Sequence, residues 1–230
     1  PESAVDNSML PLDNPNLAAQ LPERFITGYG TYLDPTSSAN RVISWDGSRV
    51  LSSYDKHFLV PLGEFFPFQK ELPGVWSALF TAFNFPNGLM KTVSVEGDKA
   101  LELNGKLYGA YICYESIFPQ VSRAAVQAGA DVLVNVSNDG WYGVGSGIDQ
   151  HFQMGRLRAI ETRRYILRAG NVGITAILDQ RGNVTAEIPR FTQGILRGSF
   201  KRLEGQTPYV ILGDWPLGVA LLLIVWGLAK

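Results

Sequence analysis

Short apolar stretches, each closed by a glycine or asparagine turn, recur along the chain and make the pattern of a β-rich α/β domain. Strands are predicted over Arg24 to Tyr32, Asn40 to Trp45, Val50 to Tyr54, Lys91 to Val95, Lys106 to Cys113, Val132 to Ser137, Gly173 to Leu178 and Ile195 to Phe200. Asp46-Gly47 and Gln180-Arg-Gly-Asn183 are turn signals between strand pairs and predict hairpins. Two helices stand out. Pro119 to Ala128 has proline at its start and Gly129 past its end. Gln150 to Arg164 carries Phe152, Met154, Leu157 and Ile160 at roughly helical spacing, a stripe expected to face the core. Strand, helix, strand around Cys113 and Asp131 to Asn135 is a parallel crossover, whereas the hairpins are antiparallel. A sandwich of two mixed sheets with helices outside accommodates both.

Two stretches do not fit a soluble core. Phe65, Phe66, Phe68, Val75, Trp76, Leu79, Phe80, Phe83, Phe85 and Leu89 are interrupted by Pro67, Pro73 and Pro86, which predicts a long loop or short-helix insertion. Such a segment beside an active site reads as a lid, and packing beneath the loop itself is the alternative. The second is Trp215 to Ala229, with no polar face and no charge before Lys230. It is somewhat short of the roughly 20 residues a bilayer span needs, and is read as the start of a transmembrane helix, with Trp215 and Trp226 as interfacial anchors. A buried C-terminal helix is the other reading. The opening Pro1-Glu2-Ser3, without an initiator Met, is read as a cut end of a longer protein. The expected organisation is a catalytic domain over 1–212 followed by the membrane segment over 213–230.

The formal charge of −1 comes from 20 basic and 21 acidic residues that are scattered, so no electrostatic footprint for nucleic acid exists. The 230 residues suffice for one large domain.

Chemistry enters with Cys113, the one cysteine, which closes the run Leu107-Tyr-Gly-Ala-Tyr-Ile-Cys-Tyr-Glu115 at a strand end. It forms no intrachain disulfide, and one cysteine cannot build a zinc site of the usual spacing. A thiol in that place is either a nucleophile or core filling. Lys56, in Tyr54-Asp-Lys-His-Phe-Leu-Val-Pro-Leu-Gly-Glu64, could set a positive charge beside the sulfur, favouring thiolate and stabilising an oxyanion; a solvated surface lysine is the plainer reading. Glu2 and Glu115 are candidate bases. His151 has no partner cluster for a metal and is read as a packing or hydrogen-bonding residue. Arg156, Arg158, Arg163 and Arg164 are expected to pair with acidic neighbours, with lipid phosphates as the alternative partners.

Pro1-Glu-Ser-Ala4, Tyr-Asp-Lys56 with Pro-Leu-Gly-Glu64, Ile-Cys113-Tyr-Glu and Ser137-Asn-Asp-Gly-Trp-Tyr-Gly143, in this order, resemble the nitrilase superfamily with its Glu-Lys-Cys triad. Gln150-His-Phe-Gln-Met154, Arg156-Leu-Arg-Ala-Ile-Glu161 and Asn171-Val-Gly-Ile-Thr175 narrow this to a resemblance to the bacterial apolipoprotein N-acyltransferase family. The resemblance implies an αββα sandwich followed by a last membrane helix. It implies Glu2 as general base, Lys56 as oxyanion and positioning lysine and Cys113 as nucleophile, with the Tyr114 backbone N–H in the oxyanion site and Glu64, Glu115, Trp141 and Tyr142 supporting. It implies no cofactor and no metal. The expected reaction is ping-pong: a phospholipid acyl donor makes a Cys113 thioester, and the α-amine of the diacylglyceryl-cysteine of an apolipoprotein takes the acyl group. The expected setting is the bacterial inner membrane, with the site on the periplasmic side and the aromatic insertion reaching toward the bilayer. Two other readings stand beside it: a soluble nitrilase-like amidase cleaving a small C–N bond, and a catalytically silent membrane-anchored binding domain in which Cys113 only packs.

Overall fold

Burial of Ala39, Val42, Ile43 and Ser44 along Ser37–Trp45 marks a strand packed on a core. In the computed structural model, which describes residues 22–34, 37–69, 71–82, 91–92 and 99–228, it is the second strand of an antiparallel meander: β1 (Phe25–Asp34), β2 (Ser37–Trp45) and β3 (Val50–Asp55). The β2–β3 turn forms where Asp46-Gly47 predicts it. The Asp46 carboxylate accepts the backbone N–H groups of Ser48 and Arg49 at 2.8 and 2.9 Å, and Gly47 takes φ of 101°. After the helix α1 (Pro73–Ala82), the short β4 (Lys91–Thr92) pairs parallel to β2; the rest of the predicted Lys91 to Val95 strand lies outside the described residues.

The second sheet contains β5 (Leu101–Leu103), β6 (Lys106–Ile112), β7 (Val132–Asn138), β8 (Tyr165–Asn171), β9 (Thr175–Leu178) and β10 (Val184–Ile188), in the order β10-β9-β8-β7-β6-β5. The central three are parallel and the flanking pairs antiparallel. β7 is buried on both faces along nearly its whole length, as a central strand of a covered sheet must be. On one face β5 and β6 meet β2 and β3, where Val42, Tyr54, Leu101, Tyr108 and Ile112 close the core and Ser52 Oγ accepts the Glu102 N–H at 2.8 Å. The helix α2 (Pro119–Gln127), which packs on β6, and α3 (Gly147–Thr162) cover the other face. The expected two mixed sheets with helices outside are therefore present, α2 and α3 supplying the helical layer over the six-stranded sheet.

Several expectations need correction. No strand forms at Ile195 to Phe200: the segment has no ladder partner among the described residues and lies over the sheet face, where Leu196, Gly198 and Phe200 line a mostly apolar 460 Å³ cavity with Ile26, Tyr108 and Ile177. The alternation is real; the ladder is not. β8 escapes the apolar pattern because Arg168 and Asn171 interrupt it, yet Arg168 is buried. Met154, Leu157 and Ile160 are about half exposed, because α3 turns Ile148, His151, Phe152, Arg158 and Ala159 inward instead. Of the four arginines, Arg158 alone pairs with an acid among the described residues, gripping Glu161 through two bonds of 2.6 and 2.7 Å. Arg164 instead donates to the carbonyls of Ala130 and Gly205, and Arg156 to that of Gly182.

Two further helices follow, α4 (Pro208–Leu212) and α5 (Trp215–Leu228). α5 has no buried residue and leaves Leu217, Leu222 and Trp226 well exposed. Among the described residues, no helix is long and apolar enough to cross a membrane.

At Gly109 of β6 the sheet and α2 approach closely. A Cβ there would lie 2.6 Å from Leu133 Cδ2 and 2.7 Å from Ala125 Cβ. Gly109→Ala should lower unfolding free energy by about 1–3 kcal/mol through overpacking. Gly74→Ala, in open space on an exposed helix, should be neutral or stabilise by up to about 1 kcal/mol. Denaturation midpoints of the two variants check this.

Candidate active site

β6, β7 and β8 run parallel and end side by side, and residues just beyond the carboxyl ends of such strands are placed to form a site. Cys113 follows β6 and opens a 3-10 turn, Cys113–Ile117; Asp139 follows β7 and opens another, Asp139–Tyr142. Cys113 has φ of 48° after an extended Ile112. A non-glycine residue in the left-handed region costs about 1–3 kcal/mol unless its surroundings enforce it. Here Glu115 does so. Its fully buried carboxylate accepts the Ile112 N–H at 2.8 Å, bending the strand end back on itself.

The other Glu115 oxygen accepts three donors from the end of β3 and the loop after it: the Tyr54 hydroxyl at 2.8 Å and the backbone N–H groups of His57 and Phe58 at 2.6 and 3.1 Å. One carboxylate thus ties the residue before Cys113 to the two residues after Lys56. Burial pushes Glu115 above the ordinary carboxylate range against the pull of these donors, and burial and the neighbouring carboxylate push the Tyr54 phenol up as well. With four donors on it, Glu115 is a strut between two segments.

Lys56 is 1% exposed, not a surface lysine. Its Nζ donates to Glu64 Oε1 at 2.6 Å, where Asn40 Nδ2 also donates at 2.8 Å, and Glu64 Oε2 takes the Val60 N–H at 2.7 Å. The Lys56 N–H binds the Asn40 carbonyl at 2.9 Å. A buried ammonium is tolerable only with such partners.

Behind the cysteine lies a network that crosses three strands. Register aligns Tyr111, Asn135 and Arg168 on β6, β7 and β8. Arg168 reaches Asn135 and, at 2.7 Å, Asp139 Oδ2. Asp139 Oδ1 accepts the Ser137 hydroxyl at 2.6 Å and faces His151 Nδ1 at 2.9 Å. His151 Nε2 faces the Cys113 carbonyl at 3.0 Å and Ser116 Oγ at 2.7 Å. Burial raises Asp139, but the His151 contact, the Arg168 charge and the Ser137 hydroxyl outweigh it and hold the carboxyl at about 2. A Cβ on Gly173 would stand 2.0 Å from Asp139 Oδ2, so this position excludes any side chain.

The Cys113 sulfur, one Asp139 oxygen and one His151 nitrogen lie within 4.8 Å of one another. The donor set does not suit a metal, since both ring nitrogens already face oxygen atoms and Arg168 occupies the carboxylate. Tyr142 stands against the same group, its ring 5.5 Å from that of His151. Burial and the negative charges of Cys113 and Asp139 push its phenol to about 12, while Arg168 and Lys56 pull the other way. The arrangement offers a strained thiol at a strand end, a buried ammonium nearby and a water-poor interior, the requirements of nucleophilic attack on a carbonyl.

Of the expected residues, the structure gathers Cys113, Glu115, Lys56, Glu64 and Tyr142. Trp141 is 82% exposed and stands outside the buried group. The Tyr114 ring stacks edge-on against Phe118 at 5.0 Å, leaving its backbone at the elbow. Glu2 lies outside the described residues. Sequence reasoning misses Asp139, Arg168 and Ser116, and takes His151 only for packing or hydrogen bonding. A buried arginine in an apolar run and the Asp of Ser-Asn-Asp-Gly are the signals that could have found the network.

Because Asp139 is held below its ordinary range, its stabilising contribution, about 2 kcal/mol, is complete above pH about 4 and is lost as pH falls toward 2. Asp139→Asn should flatten that limb of a stability–pH curve, measured by denaturant titration at each pH.

The carbon-nitrogen hydrolase family matches residues 25–207. The chain is 40% identical over 178 residues to the apolipoprotein N-acyltransferase of Pseudomonas paraeruginosa, covering 76% of this chain and 34% of that protein. It is 37% identical over 215 residues to that of Pseudomonas syringae pv. tomato, covering 92% and 40%. The chain thus spans well under half the length of the curated relatives it matches. Among solved structures, a mutant of the amidase from Nesterenkonia sp. AN1, with acrylamide added at its active-site cysteine, superposes with a TM-score of 0.52 at 16% identity, over 76% of this chain and 62% of that one. The shared fold, and the family match over most of the described residues, make this chain a member of the carbon-nitrogen hydrolase family.

Proposed function

We propose that this chain is the catalytic domain of an apolipoprotein N-acyltransferase, moving a fatty acyl group from phospholipid to the α-amine of a diacylglyceryl-cysteine through a thioester on Cys113. The observation that carries this is a thiol on a strained elbow braced by Glu115 to the loop of a buried, ion-paired Lys56. The name borne by the relatives supports the acyl-transfer chemistry, and the cysteine adduct of the Nesterenkonia amidase supports the nucleophile.

In the first half-reaction Cys113 Sγ bonds to the ester carbonyl carbon of the phospholipid. Lys56 and the Tyr114 N–H stabilise the oxyanion. Glu2 takes the thiol proton and returns one to the departing alkoxide, so the C–O bond breaks to give a lysophospholipid and a thioester. In the second, the acceptor α-amine bonds to the same carbon, the C–S bond breaks, and Glu2 accepts the amine proton and returns one to the sulfur. Glu64 holds Lys56 in place, and Tyr142 packs against the His151 ring beside the sulfur.

Membrane apposition belongs to the same reading. In α1, Trp76 and Phe80 pack on Phe66 with ring centroids 4.9 and 4.7 Å away, and Trp76 Nε1 donates to the Pro67 carbonyl at 2.9 Å. Phe68, Leu72, Val75 and Leu79 are left exposed. The aromatic cluster stiffens an arm whose other side offers apolar surface to lipid. α5, about 21 Å long at 1.5 Å per residue, is the described part of a membrane segment over 213–230 that follows a catalytic domain over 1–212. The site then faces the periplasm from the bacterial inner membrane.

Incubating the full-length protein with phospholipid vesicles should put a fatty acyl group on Cys113, visible by peptide mass spectrometry and absent in Cys113→Ala. Release of ammonia from small amides without any acyl adduct would instead support the amidase reading. The triple replacement Leu72→Ser, Val75→Ser and Leu79→Ser should slow adduct formation about tenfold, a loss of about 1.4 kcal/mol, while Cys113 alkylation by iodoacetamide is unchanged. Equal adduct formation in that variant would dispose of the arm's role.

A further inference from the structure

We infer that Arg123 is a positioning residue for transfer at the membrane: from α2 it clamps α4 and thereby fixes the angle at which α5 leaves the catalytic domain. The reading of α5 as a membrane segment underlies this. A helix as short as α4, five residues from Pro208 to Leu212, does not hold its shape alone. Both of its ends are held by other elements. At the start, the Thr207 hydroxyl accepts the Val210 N–H at 3.1 Å and donates to the carbonyl of Glu161, in the last turn of α3, at 2.6 Å. At the finish, three successive carbonyls that a helix end leaves open each find a donor. Tyr209 takes the Gly213 N–H at 2.7 Å, Val210 takes Arg123 Nε at 2.8 Å and Gln127 Nε2 at 2.9 Å, and Ile211 takes Arg123 Nη2 at 3.1 Å. Arg123 and Gln127 are four residues apart and therefore share one face of α2. Between the two ends Val210 is fully buried.

The turn from α4 into α5 is made at Gly213. This residue has φ of 62° and lies against the Arg123 guanidinium: a Cβ on it would stand 3.0 Å from Arg123 Cζ. Glycine takes that backbone shape without the steric cost other residues meet. At the next residue the Asp214 carbonyl accepts the Leu217 N–H at 3.0 Å, and α5 begins. Beyond that point no described residue of α5 is buried, so the constraint on its course is concentrated at the root. Over its length of about 21 Å, a swing of about 20° at the root moves the far end by about 7 Å. With α5 held in a bilayer, the same swing displaces Cys113 from the acyl carbonyl that must reach it, and misplacement by about 1 Å can cost about a hundredfold in rate. The fastening continues upstream. Arg202 binds Asp131 at 2.7 Å and the Leu203 N–H binds the Asp131 carbonyl at 3.3 Å, so the chain leading to α4 is pinned just before β7, the strand whose other end carries Asp139.

The test uses the full-length protein and two readouts. In a Cys113→Ser background, spin labels at Arg181→Cys and Leu223→Cys, both exposed positions, report the distance from the domain to α5. Arg123→Met keeps most of the stem and removes every donor, and should turn one narrow distance peak into a broad distribution. With Cys113 present, the same substitution should slow acyl-adduct formation from phospholipid vesicles about tenfold. Adduct formation from dihexanoylphosphatidylcholine dissolved below its micelle concentration should keep the parent rate, since a dissolved lipid arrives from any direction. Arg123→Lys, which keeps the charge and can reach one carbonyl, should recover part of the vesicle rate. An unchanged peak or an unchanged vesicle rate overturns the inference. So does equal slowing with both lipids, which marks a damaged domain. Should Arg123→Met not fold, Gly213→Ala, which presses on the guanidinium from the α4 side, is read against the same outcomes. If the parent protein forms no acyl adduct with either lipid while the peak still broadens, acyl transfer falls and the clamp stands; an adduct on the parent protein with an unmoved peak does the reverse.

Discussion

The buried carboxylate of Glu115 is the interaction on which the site depends. Two segments far apart in sequence, the end of β3 with its following loop and the end of β6, are brought to one side chain by four hydrogen bonds, three of them from backbone N–H groups. Backbone donors fix position better than side chains do, because they carry no rotamers of their own. The position of Lys56 relative to Cys113 is thereby set by main chain, and the left-handed turn at Cys113 is kept from relaxing.

The cost of this arrangement is a carboxylate deep in apolar surroundings, and the rest of the site repeats the same balance at each charged group. Lys56 is buried with Glu64, Arg168 with Asp139, and Arg158 with Glu161. Breaking any of these pairs leaves an uncompensated charge, which costs far more than the pair itself contributes. A water-poor interior lined by satisfied ions is also where a fixed charge acts most strongly on a sulfur atom.

Much of the sheet is legible in the sequence because β2, β3, β6 and β7 obey their local patterns, with Asp46-Gly47 and Pro119 marking a turn and a helix start. The motif residues Lys56, Glu64, Cys113 and Glu115 are legible as chemistry because their types and order are unusual together. What escapes is polar burial. β8 carries Arg168 through the middle of a sheet, and α3 turns His151 and Arg158 inward while Met154 and Leu157 face out. Hydrophobic periodicity assumes that charge goes to water, and here hydrogen bonds across three strand ends outweigh that preference. Ile195 to Phe200 misleads for another reason: alternation reports which side chains face a surface, not whether the backbone finds a ladder partner.

At Gly173 a hydrogen atom stands where any other residue would place carbon, 2.0 Å from an Asp139 oxygen. The balance of charge behind the sulfur thus relies on the gap that this missing side chain leaves and the Asp139 carboxylate fills. Retuning such an enzyme by exchanging its polar side chains leaves that gap intact, whereas one inert alanine in the loop after β8 would evict the aspartate and scatter the ions arranged around it.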